Sequence, residues 1–209
     1  MASIDEVLAA GPVIPVLAIE RAGDAVPLAR ALLAGGLRTL EVTLRTPAAL
    51  DAIRRIAGEV QGAIVGAGTV LSPTDMEAAR TAGARFAVSP GLTPAVARAA
   101  EAEGLPLLPG VATASEIMRA LELGLTRLKF FPAETSGGPA AVKAFAGPFA
   151  RARFCPTGGV TLANARGYLA LPNVACVGGS WLAPADAVAS GDWARIEALA
   201  REAAALARA

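Results

Sequence analysis

The chain reads as an α/β protein, a (β/α)8 barrel of the TIM type, folded as one domain over residues 1–209 with a short helix at each end. Three observations predict it. Apolar runs of five to eight residues alternate with Ala-, Leu-, Glu- and Arg-rich helical stretches, eight times over. The runs start about 20–26 residues apart, close to the minimum for a strand, a helix and two tight loops. They are nearly continuously apolar, as strands buried on both faces of a parallel sheet must be. No glycine-rich nucleotide-binding turn follows the first run, which leads straight into Ile19-Glu20-Arg21, so an open dinucleotide-binding sheet fits less well.

A flanking helix is expected over Ile4–Ala10. The strands follow at Val13–Ala18, Thr39–Leu44, Ala63–Thr69, Phe86–Pro90, Pro106–Val111, Arg127–Phe131, Arg153–Thr157 and Val174–Gly179. Between them, Thr46-Pro47, Ser72-Pro73, Thr93-Pro94 and Thr113 place a capping hydroxyl at or near a helix start. Gly35-Gly36, Gly58, Gly83, Gly104 and Gly124 mark helix ends, where a left-handed cap is expected. Lys143 falls in a helical stretch, Ala140–Ala146, as a solvated surface group, and a last helix covers Asp192–Ala207.

Composition narrows the chemistry. The hydrophobic fraction is 54%, yet no run approaches the roughly 18 apolar residues of a membrane-spanning helix. Met1–Ala10 lacks the pattern of a secretory signal, and the cytoplasm is the expected compartment. A net charge of +1, with arginines spread along the chain, points to neither nucleic acid nor an anionic membrane as partner. Cys155 and Cys176 lie in apolar runs and are expected buried and reduced. There is no histidine, which removes histidine-based triads and most zinc hydrolase sites. Lys129 and Lys143 are the only lysines, so a lysine inside an apolar strand stands out.

Active sites of such barrels gather at the C-terminal ends of the strands. Polar residues there are Glu41, Thr43 and Arg45 from the second strand, Thr69 from the third and Ser89-Pro90 from the fourth. The sixth gives Lys129, and the seventh and eighth give Thr157-Gly158-Gly159 and Gly178-Gly179-Ser180. A lysine amine of ordinary pKa, about 10.4, is almost wholly protonated at neutral pH; burial among apolar walls and cations is what makes such an amine nucleophilic. Lys129 reads as that nucleophile, or as a structural partner of Glu41. Glu41 reads as a general acid/base in a site without imidazole, or as charge balance for Lys129 or Arg45. Arg45, about 13 Å further along the same strand face, reads as a rim clamp for a substrate carboxylate, or as an exposed loop charge. Two Gly-Gly turns at adjacent strand ends read as a phosphate site, or as ordinary turn chemistry.

With these residues in place the sequence resembles the 2-keto-3-deoxy-6-phosphogluconate (KDPG) and 4-hydroxy-2-oxoglutarate aldolases over essentially its whole length. The markers are Glu41-Val42-Thr43-Leu44-Arg45-Thr46, Gly66-Ala67-Gly68-Thr69-Val70, Ser89-Pro90-Gly91, Lys129-Phe130-Phe131-Pro132-Ala133-Glu134 and Phe154-Cys155-Pro156-Thr157-Gly158-Gly159-Val160. The resemblance implies a homotrimeric barrel without metal or organic cofactor, acting on a phosphorylated keto acid with pyruvate as a product. It implies Lys129 as the Schiff-base lysine and Glu41 as the acid/base. Arg45 and Thr69 match positions that hold the pyruvyl carboxylate, and Pro90 and Phe131 shape the pocket. Gly158, Gly159, Gly179 and Ser180 fall at the phosphate site, and Thr157 is more similar to the gluconate-type member than to its galactonate relative. The expected activity is class I aldol cleavage of KDPG to pyruvate and glyceraldehyde 3-phosphate. Three other outcomes stay open: preference for 4-hydroxy-2-oxoglutarate or the galactonate epimer, a non-covalent phosphate-binding barrel isomerase or synthase, and a non-catalytic sugar-phosphate binding module.

Overall fold

A computed structural model describes residues 3–206. Met1, Ala2 and residues 207–209, at the ends of the expected domain and last helix, lie outside the described residues. Eight parallel strands form one sheet: β1 (Val13–Leu17), β2 (Thr39–Thr43), β3 (Ile64–Gly68), β4 (Ala87–Ser89), β5 (Leu107–Val111), β6 (Arg127–Phe130), β7 (Arg153–Pro156) and β8 (Val177–Gly179). Their order is β7-β6-β5-β4-β3-β2-β1-β8, and bridges Phe154–Val174 and Thr157–Gly178 join the outer two into a nearly closed barrel. This is the fold class read from the sequence.

The helices are α1 (Ile4–Ala9), α2 (Ala25–Ala34), α3 (Ala49–Glu59), α4 (Pro73–Thr81), α5 (Pro94–Ala102), α6 (Ala114–Glu122), α7 (Gly138–Phe145), α8 (Leu162–Leu169), α9 (Ala185–Ser190) and α10 (Trp193–Ala204). Ser72, Thr93 and Thr113 cap α4, α5 and α6 as expected, each accepting from the backbone N–H three residues on. Thr46 does not cap α3. Its hydroxyl donates to the Ile19 carbonyl at 2.6 Å, tying the β2 loop to the β1 loop, and α3 begins after Ala48. Gly58 likewise lies inside α3 instead of ending it; the left-handed residue beyond that helix is Gly62. Gly36, Gly83, Gly104 and Gly124 do take positive φ where helices end. Lys143 is exposed on α7, and Cys155 and Cys176 are buried without a disulfide.

Alternation along the strands divides the core in two. Leu40, Val42, Leu128 and Phe130 face outward into the layer shared with the helices. Ile14, Ile64, Phe86, Val88, Leu108, Cys155 and Cys176 face inward and fill the lower lumen. Phe86 is seated there because Gly66 is bare: a Cβ on Gly66 would lie 2.5 Å from the Phe86 ring. Helix α1 closes the N-terminal end. Val7 and Leu8 pack into the lumen cluster, Ser3 caps the helix with Glu6 in a capping box, and Asp5 pairs with Arg127 from β6. Strand β4 stops at Ser89 because Pro90 has no N–H to extend the ladder. Before β8, the chain meets β7 only at the bridge around Val174, so the strand starts three residues later than expected.

Two glycines test this packing in opposite directions. At Gly35 an added Cβ would lie 2.4 Å from the Ala200 Cβ and 2.7 Å from the Glu197 carbonyl oxygen of α10. Gly35→Ala is expected to destabilise by about 1–3 kcal/mol, a fall in Tm of roughly 2–12 °C. Gly58, with open space around it in α3, should gain about 0.4–1 kcal/mol on replacement by Ala. Thermal melts of the two variants check both signs.

Candidate active site

With helices around the barrel and α1 at its floor, the C-terminal mouth of the lumen is polar. Glu41 on β2 and Lys129 on β6 come from opposite sides of the barrel, and the lysine Nζ donates to Glu41 Oε1 at 3.3 Å. Both are buried, with side chains 3% and 7% exposed, so each supplies the counter-charge the other needs. Bare backbone makes the crossing possible. Gly68, on the neighbouring strand, leaves the space the carboxylate fills: a Cβ there would stand 2.3 Å from Glu41 Oε1. The ammonium also lies 5.0 Å from the centroid of the Phe131 ring, which gives it a cation–π contact.

Above this pair opens a cavity of about 180 Å³, on the order of six waters' worth and thus sized for a small metabolite. The residues given a catalytic or binding role from the sequence line it: Glu41, Arg45, Thr69, Pro90, Lys129, Phe131, Thr157, Gly158, Gly159, Gly179 and Ser180; Ser89, also read at a strand end, does not, and its hydroxyl donates to the Gly91 carbonyl. Val16, Thr43, Val160 and Gly178 complete the wall. Among the described residues, no three Asp, Glu or Cys side chains form a cluster able to hold a metal ion.

Local structure fixes each part of the rim. Arg45 is exposed at the mouth, and its Nε donates to the buried Thr43 hydroxyl at 3.1 Å, which itself donates to the Leu17 carbonyl at 2.9 Å. Thr43 therefore anchors the arginine to β1, a role its sequence position alone did not give it. Thr69 has φ 59°, the left-handed region that β-branched residues avoid, at a cost of order 1–3 kcal/mol. That strain is held by Val70, which donates to the Val88 carbonyl at 3.1 Å immediately after it.

The glycine turns form the opposite wall. Gly158 and Gly159 both have positive φ, 99° and 78°. A Cβ on Gly178 would lie 2.2 Å from Thr157 Oγ1, and one on Gly179 would overlap the Trp181 ring. These strand-end glycines are bare because neighbours occupy the side-chain space. Among the described residues, the backbone N–H groups of Gly158, Gly159 and Ser180 have no protein acceptor. Three unspent donors on a cavity that a buried lysine and a rim arginine also line make a mouth suited to an anionic ligand.

A family model for aldolases, described as KDPG and KHG aldolase, matches residues 4–199. The chain belongs to the KDPG and KHG aldolase family. It is accordingly an aldolase, a lyase of carbon–carbon bonds. It is 57% identical over 201 residues to the 2-dehydro-3-deoxy-phosphogluconate aldolase of Dickeya dadantii, covering 96% of this chain and 94% of that one. Among solved structures it is similar to the 2-keto-3-deoxy-6-phosphogluconate aldolase of Zymomonas mobilis with 3-phosphoglycerate, at 54% identity and TM-score 0.93, covering 99% and 97% of the two chains. It is also similar to the KDPG aldolase of Legionella pneumophila with pyruvate captured as a covalent carbinolamine, at 46% identity and TM-score 0.95, covering 98% and 99%.

The glycine beside Glu41 offers a test of how tightly this aldolase site is built. In Gly68→Ala the new methyl displaces Glu41 from Lys129, and aldol cleavage should fall about 100-fold, the scale of a displacement of about an ångström in an active site. Steady-state turnover measures it, and wild-type rates would show that the carboxylate's place is not critical.

Proposed function

We propose that this chain is a class I aldolase cleaving 2-keto-3-deoxy-6-phosphogluconate to pyruvate and glyceraldehyde 3-phosphate, with Lys129 as the Schiff-base nucleophile. One observation carries the reading: a buried lysine amine 3.3 Å from a buried carboxylate, beneath a small cavity whose far wall is glycine backbone. The names of the Dickeya and Zymomonas relatives, and the pyruvate carbinolamine of the Legionella structure, support it.

In the proposed reaction, Glu41 accepts a proton from the Lys129 ammonium. The neutral amine attacks the C2 ketone, and the carbinolamine loses water with Glu41 supplying the proton. The resulting iminium draws the C3–C4 bonding electrons toward nitrogen. Glu41, directly or through water, takes the proton of the C4 hydroxyl as that bond breaks, so the aldehyde leaves and an enamine remains. Protonation at C3 and hydrolysis of the iminium release pyruvate and restore the amine. Arg45, held by Thr43, pairs with the keto-acid carboxylate together with Thr69. Pro90, Phe131 and Thr157 bound the carbon chain, and Gly158, Gly159, Gly179 and Ser180 receive the phosphate.

The chain is proposed to act in the cytoplasm as a single catalytic domain assembled into a homotrimer without a cofactor. The family resemblance supports the trimer, and light scattering of the purified protein measures its mass. Because the matched family also includes 4-hydroxy-2-oxoglutarate aldolases, relative turnover of that compound, KDPG and the galactonate epimer sets the preference.

Borohydride added with pyruvate should fix a mass increment on Lys129, read by peptide mass spectrometry. Lys129→Ala should abolish both adduct and cleavage while circular dichroism stays native. An unmodified wild-type protein would point to a non-covalent barrel enzyme instead. Glu41→Gln should still trap pyruvate, but with kcat reduced about 100- to 10,000-fold, the usual worth of a positioned acid/base. Unchanged turnover in that variant removes Glu41 from the chemistry.

A further inference from the structure

Outside the lumen, one polar contact joins two residues that the reaction does not use. Tyr168 on α8 is fully buried, and its hydroxyl donates to the carboxylate of Glu134 in the loop between β6 and α7. Burial first, then the bond and charge of Glu134, hold the Tyr168 phenol well above its ordinary pKa, so it remains a donor throughout the physiological range.

Glu134 lies against the glycine turn. Its Cγ and Cβ occupy the space above Gly159, where an added Cβ would be 2.5 and 2.7 Å from them. The backbone beside it is laced to the same turn: Ala133 N–H donates to the Thr157 carbonyl at 2.8 Å and Glu134 N–H to the Gly158 carbonyl at 3.0 Å. A trans peptide holds its C=O and the following N–H in opposite directions. Engaging the carbonyls of Thr157 and Gly158 from the loop side therefore turns the N–H groups of Gly158 and Gly159 the other way. Asn164 secures the next carbonyl, that of Gly159, at 3.0 Å.

We infer that Glu134, gripped by Tyr168 and seated on Gly159, is a positioning residue that aims the glycine N–H groups at the phosphate end of the substrate. The inference rests on the proposed phosphate role of Gly158 and Gly159. Glu134 touches no substrate in this arrangement. It acts through the turn, so its influence is confined to ligands that carry a phosphate.

The test compares Glu134→Ala, Glu134→Gln and Tyr168→Phe with the wild type. Glu134→Ala removes the Cγ and the carboxylate, leaving only the Cβ beside Gly159 and Tyr168 without its acceptor. It should weaken 3-phosphoglycerate binding, measured by calorimetry, and raise KM for KDPG, each about tenfold, the loss of roughly one hydrogen bond to a charged group. Its kcat, its turnover of unphosphorylated 4-hydroxy-2-oxoglutarate and its rate of borohydride-trapped pyruvate adduct should match the wild type. Glu134→Gln keeps the methylenes and an acceptor for Tyr168, and should restore binding. Tyr168→Phe should shift the same constants in the same direction by less, and it decides the matter if Glu134→Ala fails to fold. Unchanged 3-phosphoglycerate affinity in both Glu134→Ala and Tyr168→Phe overturns the inference, as does an equal loss on phosphorylated and unphosphorylated substrates. A weakened phosphate ligand in a protein whose wild type traps no pyruvate would sustain the positioning role while removing the Schiff-base reading.

Discussion

The attraction between Glu41 and Lys129 across the barrel lumen is the constraint around which the rest is arranged. Two opposite charges sealed under a cavity are tolerable only together, since removing one partner of a buried pair costs about 3–5 kcal/mol. Yet they sit on strands four apart, and side chains spanning a lumen from opposite walls need the intervening strands to stay out of the way. Gly68 meets that need on β3, where a Cβ would strike the Glu41 carboxylate, while Gly66 and Gly110 make room for the Phe86 ring and the Pro90 backbone. A barrel strand built of glycine forgoes side-chain packing and backbone stability, and here it does so where the charged pair requires room.

The same logic extends up the barrel in layers. Below the pair, Phe86 and its aliphatic neighbours fill the lumen, and α1 supplies Val7 and Leu8 as a stopper. Above it, the wall changes from side chains to backbone, with N–H groups at Gly158, Gly159 and Ser180 that have no acceptor among the described residues and a strained Thr69 across from them. Apolar burial thus stabilises one end of the lumen, and the other end is left polar. The helical shell, with its own separate core, holds the barrel against the cost of that polar end.

Most of the fold was legible in the sequence because strand period, apolar continuity and helix caps are local signals. Ser72, Thr93 and Thr113 capped as read, since a hydroxyl followed by a free N–H three residues on needs nothing from the rest of the chain. Thr46 and Gly58 misled for the complementary reason. The Thr46 hydroxyl found a better acceptor in Ile19, 27 residues away, and α3 ran through Gly58 because its buried face carries Ala52, Ile53 and Ile56. The candidate site was legible in its membership, because strand-end position and residue type sufficed to name Lys129, Glu41 and the glycines. Its internal supports were not. The bond from Arg45 to Thr43, the left-handed turn at Thr69 and the Tyr168–Glu134 contact depend on which segments meet in space. The Glu134 motif was visible, but its partner on α8 lies 34 residues on with no pattern to connect them.

Closing the floor of the lumen with α1 has a consequence for traffic. Among the described residues the C-terminal mouth is the doorway, so what enters there leaves by the way it came, in reverse order of depth. In the proposed cleavage, the fragment tethered to Lys129 lies below the phosphorylated one. The aldehyde must therefore depart before the keto acid can, and an excess of aldehyde outside should hold the exit shut.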